Sequence, residues 1–151
     1  MEIGVASLVE DDVRDLLALH QRRMFDASPP GTSFALDLAG LAGADITIFS
    51  ARRDRALLGV AALKILGDGA GEIKSMRTAD GALRSGVARA LLDHLMADGR
   101  RRGLTKLMLE TGTGPEFEAA NALYRHRGFA LRGPFAAYSA SDFNVFYELT
   151  I

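Results

Sequence analysis

The spacing of apolar residues along the chain changes several times, and each change marks a new element. Val13, Leu16, Leu17, His20 and Met24 recur at intervals that place them on one helix face. Glu10, Asp11 and Asp12 stand at the start of that run, where negative charge suits the positive end of a helix. Ahead of it, "EIGVASL" (Glu2 to Leu8) predicts a short strand. Behind it, "ASPPGTS" (Ala27 to Ser33) ends the helix, because two prolines and a glycine cannot continue it. "FALDLAGL" predicts a short second helix. "DITIFSARRDRALLGVAALKIL" reads as two strands about a turn at Arg53-Asp54, "GDGAG" (Gly67 to Gly71) as a second turn, and "EIKSMRTA" as a third strand. The three strands are most simply antiparallel neighbours.

The second half changes period again. Val87, Leu91, Leu92, Leu95 and Met96 form one stripe on a helix that ends near Gly103. "KLMLET" is the next strand, so Glu72 to Thr111 predicts strand, helix, strand with a right-handed parallel crossover. "GPEFEAANALYRHRGF" predicts another helix, with Pro115 near its first turn and Gly128 just past its end. "FALRG" and "FNVFYELTI" close the chain as strands. Without a repeat, linker or low-complexity tract, residues 1–151 predict one α/β domain.

Composition narrows the chemistry. The formal net charge of -1 argues against bulk electrostatic binding to nucleic acid or to an anionic membrane. The absence of cysteine excludes disulfides, thiolate zinc sites and cysteine nucleophiles. His20, His94 and His126 are widely separated, so no metal site is expected. With neither a long apolar span nor a basic-then-apolar start, the expected location is cytoplasmic.

The stretch "DGALRSGVARALL" sets permissive backbone and arginines at a helix start. Unpaired N–H groups and a partial positive charge gather there. Gly86 admits a close ligand, Ala88 does not block it, and Arg84 and Arg89 add charge. A phosphate or pyrophosphate cradle follows from these features, as does a plain solvated helix start. Neither G-x-x-x-x-G-K-[ST] nor G-x-G-x-x-G after a strand is present.

In order, "EIKSMRTADGALRSGVARALL", "RRRGLTKLMLETG" and "FEAANALYRHRGF" resemble the GNAT superfamily of acetyl-coenzyme A-dependent N-acetyltransferases. That family's pyrophosphate motif is [Gln/Arg]-x-x-Gly-x-[Gly/Ala], and Leu83-Arg84-Ser85-Gly86-Val87-Ala88 occupies it. Gly86 and Ala88 match, while Leu83 replaces the usual Gln or Arg beside the charge of Arg84. "GEIKSMRTA", "LETG" and "ALYRHRGF" look like a group of small bacterial GNAT proteins. The likeness is strongest from about Glu72 to Phe129.

The resemblance implies a mixed, mostly antiparallel sheet with helices on both faces and a central parallel strand pair splayed around the cofactor. It implies acetyl-coenzyme A as cosubstrate, its pantetheine paired with the backbone of Ser75, Met76 and Arg77. Its pyrophosphate would meet Leu83, Arg84, Ser85, Gly86, Val87, Ala88 and Arg89, and Asn121 would be a further contact. Tyr124 matches the family's general acid, since a phenol can protonate a departing thiolate. Phe117, Ala120 and Tyr124, with Asn121 at the edge, also read as a packing stripe.

Glu72 matches a base used by some relatives, and reads equally as an exposed strand residue alternating with Lys74. Glu110 ends the next strand and could face the same cleft, orienting a substrate. His20, Tyr138 and Asp142 fall on the acceptor side in the resemblance, although His20 also suits hydrogen-bonded packing and the other two a plain loop. The implied activity is direct attack of a primary amine on acetyl-coenzyme A in a ternary complex. A regulatory module that binds acyl-coenzyme A without turnover, and a domain using the loop for ATP or NAD, remain alternatives. A small-molecule or peptide amine is the expected partner, and a homodimer is compatible with this picture.

Overall fold

A computed structural model of the chain describes residues 1–32 and 37–151. Strand β1 (Glu2–Ala6) leads into helix α1 (Asp11–Asp26), which carries the helical stripe read from the sequence. The second expected helix is present as α2 (Leu38–Leu41), capped by the Asp37 carboxylate on the Gly40 N–H; Phe34 to Leu36 lie outside the described residues. Strands β2 (Ile46–Arg53), β3 (Ala56–Gly67) and β4 (Ala70–Thr78) form the antiparallel meander. Asp68 and Gly69, both left-handed, make the two-residue turn between β3 and β4, so "GDGAG" is a hairpin. Helix α3 (Val87–Arg101), strand β5 (Lys106–Gly112), helix α4 (Glu118–His126), β6 (Ala130–Arg132) and β7 (Asn144–Thr150) follow. A short 3₁₀ turn at Pro115–Phe117 leads into α4.

Among the described residues, seven strands form one sheet in the order β1-β2-β3-β4-β5-β7-β6. Every pairing is antiparallel except β4 with β5. Helices cover both faces because strand side chains alternate between them. Phe49, Ala61, Leu63, Leu107, Leu109 and Tyr147 pack against α3 and α4. Ile48, Val60 and Ala62 pack against Val13, Leu16 and Leu17 of α1 and Leu41 of α2. No helix among the described residues is long and apolar enough to cross a membrane.

Two departures from regularity shape the middle of the sheet. First, the ladder between β4 and β5 runs only from Ala70↔Lys106 to Glu72↔Met108. Beyond it the strands separate, although β5 stays paired with β7 as far as Gly112↔Asn144. Second, β4 bulges. Arg77 pairs with Val60 and Lys74 with Ala62, so Ser75 and Met76 together oppose Ala61. Ser75 is left-handed at φ 53, a conformation that costs a non-glycine residue about 1–2 kcal/mol. The bulge resets the alternation of side chains. Met76 packs on the α3 and α4 side, whereas Arg77 lies opposite Val60 on the α1 side.

Candidate active site

The loop before α3 presents backbone to solvent. Gly86, at φ 84, is the residue preceding the helix, and no side chain caps the first N–H groups. A Cβ built on Gly86 meets no atom within 4 Å, so the space above the helix start is open. Arg84, Ser85 and Arg89 are exposed, and the Ser85 hydroxyl donates to the Ala82 carbonyl at 2.5 Å. Arg84 is left-handed at φ 58. Leu83 is 57% exposed, so the departure from the family motif sits in solvent and not in the core. Open N–H groups, a left-handed glycine and two exposed arginines fit a pyrophosphate, and the splay leaves the β5-facing edge of β4 without a partner strand after Glu72.

At the mouth of the splay lies a cavity of ≈ 150 Å³, with His20, Glu72, Met76, Arg77, Glu110, Tyr124 and Tyr138 among its lining residues. Seven residues singled out from sequence are thus brought together from α1, β4, β5, α4 and the loop before β7. Ser75 lines the same space. Asp142 does not: its side chain is exposed, and its carbonyl accepts from the Thr113 hydroxyl at 3.0 Å. Asn121 is committed to the fold. Its Nδ2 donates to the Gly112 and Phe117 carbonyls at 3.0 and 2.9 Å, and its Oδ1 accepts from the Tyr147 hydroxyl at 2.8 Å. These bonds lock α4 to the end of β5 and the middle of β7. Gly112 is required there, since a Cβ would lie 2.3 Å from the Phe117 ring.

The two glutamates differ in surroundings. Glu72 is buried at 2% exposure and is therefore not the exposed strand residue that alternation alone allowed. Its Oε2 accepts from Lys74 Nζ at 3.1 Å and from the Tyr138 hydroxyl at 2.5 Å, and that hydroxyl accepts from Lys74 at 2.5 Å. Burial and the neighbouring Glu72 carboxylate push the Tyr138 phenol far above its ordinary range, so it stays protonated and donating. Glu110 is half-buried and accepts from Asn144 Nδ2 at 3.2 Å. Burial raises the proton affinity of its carboxyl above the usual carboxylate range, with Asn144 and Lys74 opposing that shift. Asn144 also donates to the Ser139 carbonyl and accepts from Ser141, which pins the loop carrying Tyr138.

Tyr124 is buried, stacked at an angle on Phe129, with its hydroxyl 4.0 Å from Met76 Sδ. Burial, with a smaller contribution from Tyr147, pushes its pKa up to about 12. His20 is not the hydrogen-bonded packing residue its place on the stripe suggested: its Nδ1 is buried without a hydrogen-bond partner. Burial, then the Arg77 charge, push its pKa down to about 4, so the ring is neutral at pH 7.

Lys74 and Asn144 were missed as site residues. The alternation of Lys74 with Glu72 was a usable signal, because period two puts both on one face. Asn144 carried none, since its partner Glu110 is 34 positions away and reached only across the β5–β7 register.

The Acetyltransferase (GNAT) family profile matches residues 7–129. The chain is 42% identical over 149 residues to the uncharacterized N-acetyltransferase YedL of Escherichia coli (strain K12), covering 99% of this chain and 94% of that protein. It is 36% identical over 148 residues to the IAA acetyltransferase of Azospirillum brasilense, covering 97% and 95%. A Bacillus subtilis acetyltransferase solved in complex with CoA shares the fold at a TM-score of 0.74 and 16% identity, over 99% of this chain and 98% of that one. The splayed parallel pair, the open loop at the start of α3 and these likenesses agree: the chain belongs to the GNAT family of acetyltransferases, in the class of N-acetyltransferases.

Proposed function

We propose that the whole chain is one catalytic domain that transfers the acetyl group of acetyl-coenzyme A to a primary amine by direct attack within a ternary complex. The observation that supports this reading is the splay: β4 and β5 part immediately after Glu72↔Met108, and the acid, base and acceptor candidates line the space so opened. The backbone of Ser75 to Arg77 and the N–H groups at the start of α3, flanked by Arg84 and Arg89, would hold the cosubstrate.

Chemistry at this site divides among three side chains. Glu110 takes the proton of the incoming ammonium, because burial has raised its proton affinity toward the working pH. Glu72, fixed by Lys74 and Tyr138, supplies negative charge that draws a cationic amine in preference to a neutral hydroxyl. Tyr124 protonates the sulfur as the carbon–sulfur bond breaks. A pKa of about 12 makes it a weaker acid than free tyrosine, but the same burial raises the basicity of a thiolate formed beside it.

Titration with acetyl-coenzyme A, ATP and NAD, followed by thiol release over a panel of amines, tests the proposal. Tight binding of acetyl-coenzyme A alone and thiol release that requires an amine are expected. Binding without amine-dependent release would make the protein a regulatory acyl-coenzyme A module. Tighter binding of ATP or NAD would move it to another class.

A further inference from the structure

The charges in the cavity are only partly matched to one another. Lys74 is engaged by Glu72 and by the Tyr138 hydroxyl. The Glu110 carboxylate is left with a neutral amide, Asn144, as its hydrogen-bond partner among the described residues. Arg77, which the bulge at Ser75 turns toward α1, lines the same cavity beside His20 and Met24. Its neighbouring carboxylate, Asp80, is clamped by Arg23 through hydrogen bonds of 2.7 and 2.8 Å. Arg23 itself repels Arg77. Among the described residues Arg77 has no hydrogen bond and no ion pair.

Asp80 attracts Arg77 at a distance but has both oxygens bonded to Arg23, so the half-buried Arg77 guanidinium keeps its donors free, and its fork matches a carboxylate in two-point fashion. His20 adds a second unmet need at the same place, a buried Nδ1 without a partner on a neutral ring that can donate or accept. The site therefore offers a carboxylate at Glu110 and a guanidinium at Arg77, neither held in an ion pair among the described residues.

We infer that the acceptor is a free amino acid, its amine presented toward Glu110 and its carboxylate paired with Arg77 and hydrogen-bonded by His20. This inference rests on the acetyl-transfer reading of the same site and adds the substrate class. It gives Arg77 a side-chain role that the backbone contact expected from sequence does not include. A cavity of ≈ 150 Å³ suits a small ligand of this kind.

The test uses the common L-amino acids, each beside its decarboxylated amine and its carboxamide. The wild-type protein is expected to favour the best amino acid over both analogues that lack the carboxylate by about tenfold to a hundredfold in kcat/KM, the scale of a charge-assisted hydrogen bond. Arg77→Met should bring that ratio close to one, and Arg77→Lys should keep part of it. The ratio is internal to each variant, so a general loss of activity does not imitate the effect. A wild-type ratio near one, or a ratio that Arg77→Met leaves intact while coenzyme A affinity falls, overturns the inference; the second result assigns Arg77 to the cosubstrate's phosphates. Calorimetric titration of the same three probes with coenzyme A present reads carboxylate recognition without turnover. Arg77-dependent binding of amino acids with no acetyl transfer would retain the carboxylate site and reject the transferase reading. Transfer to amines with no carboxylate preference would do the reverse.

Discussion

At the start of α3 the groups open to a ligand are backbone N–H groups, held by a loop in which Arg84 and Gly86 are left-handed and most side chains are exposed. At the splay of β4 and β5 they are side chains: Glu72, Lys74, Glu110 and Tyr138, buried or half-buried, the first two and Tyr138 bonded to one another and Glu110 held by the buried Asn144. The first region depends on backbone shape, which is compatible with an exposed Leu83 where the family motif has Gln or Arg. The second depends on atoms, and one lost oxygen leaves a buried partner unmatched, at about 1–3 kcal/mol for a neutral group and more for a charged one. Substitutions in the two regions should therefore fail differently. Changes in the acceptor cluster should act on turnover and its pH profile, and changes in the loop on cosubstrate affinity.

The largest effect is expected at Glu110. Glu110→Gln keeps the acceptor for Asn144 but removes the base, and turnover should fall by about 10²–10⁴-fold. The limb of the wild-type rate profile that rises as Glu110 deprotonates should vanish with it. Stability should move the other way. The folded carboxyl binds its proton more tightly than the ordinary value of 4.5, so wild-type stability declines as pH rises from the unfolded pKa through the folded one. Glu110→Gln lacks that decline, and its Tm should exceed wild type at pH 7 but not at pH 4. Glu72→Gln in parallel separates the two carboxylates: if it alone abolishes the pH limb, Glu72 is the base.

Tyr124→Phe comes next. The ring still packs on Phe129, and only the hydroxyl near Met76 is lost. Turnover should fall toward the lower end of the range for acid–base groups, about 10²-fold, because water can still protonate a thiolate slowly. Acetyl-coenzyme A affinity and Tm should stay near wild type. An unchanged rate would assign Tyr124 to the core alone.

These two regions were unequally legible before the fold was known. Loop and strand order could be read because Gly86, Ala88 and the apolar stripe of α3 are local signals, each within a turn or two of chain. The acceptor cluster could be read only in part. Glu72, Glu110 and Tyr138 were singled out, but not the bond between Glu72 and Tyr138, which lie 66 positions apart. The side chain of Arg77 was hidden for a sharper reason. Strict alternation would set Arg77 opposite Lys74 and Glu72 in facing, and only the bulge at Ser75 brings it to their side. Periodicity cannot announce a left-handed serine in a strand. Asp142 shows the converse: Tyr138 of the same loop lines the cavity, yet the Asp142 side chain is exposed, with Asn144 and Thr113 holding the backbone around it.

In the loop, Gly86→Trp should weaken coenzyme A binding by about tenfold or more while leaving turnover at saturation within severalfold of wild type. The glycine stands where the chain approaches the first N–H groups of α3, and losing one charge-assisted hydrogen bond is worth about 1.5–3 kcal/mol. A Cβ at Gly86 meets no atom within 4 Å, so the larger side chain starts into open space above the helix start. Gly86→Ala is the control: it carries the strain of φ 84 without the bulk, so it should lower Tm slightly and affinity little. Equal affinity loss in both variants would trace the effect to strain.

The smallest effect tests how far a backbone cradle depends on side-chain charge. Leu83 is extended and 57% exposed, so Leu83→Arg adds a cation at the loop without disturbing the core. A solvent-exposed ion pair is worth about 0.2–1 kcal/mol, which predicts coenzyme A affinity improved by roughly 1.4- to fivefold at low salt. The gain should fade as ionic strength approaches 1 M, where charges are screened within about 3 Å. Turnover with saturating acetyl-coenzyme A should not change, because position 83 lies outside the cavity that holds Glu110 and Tyr124. Affinity unmoved at low salt would mean that Arg84, already left-handed and exposed beside Leu83, supplies the charge that an Arg at the first motif position would bring. In that case Leu83→Arg combined with Arg84→Ala should bind as wild type does, and Arg84→Ala alone should bind more weakly.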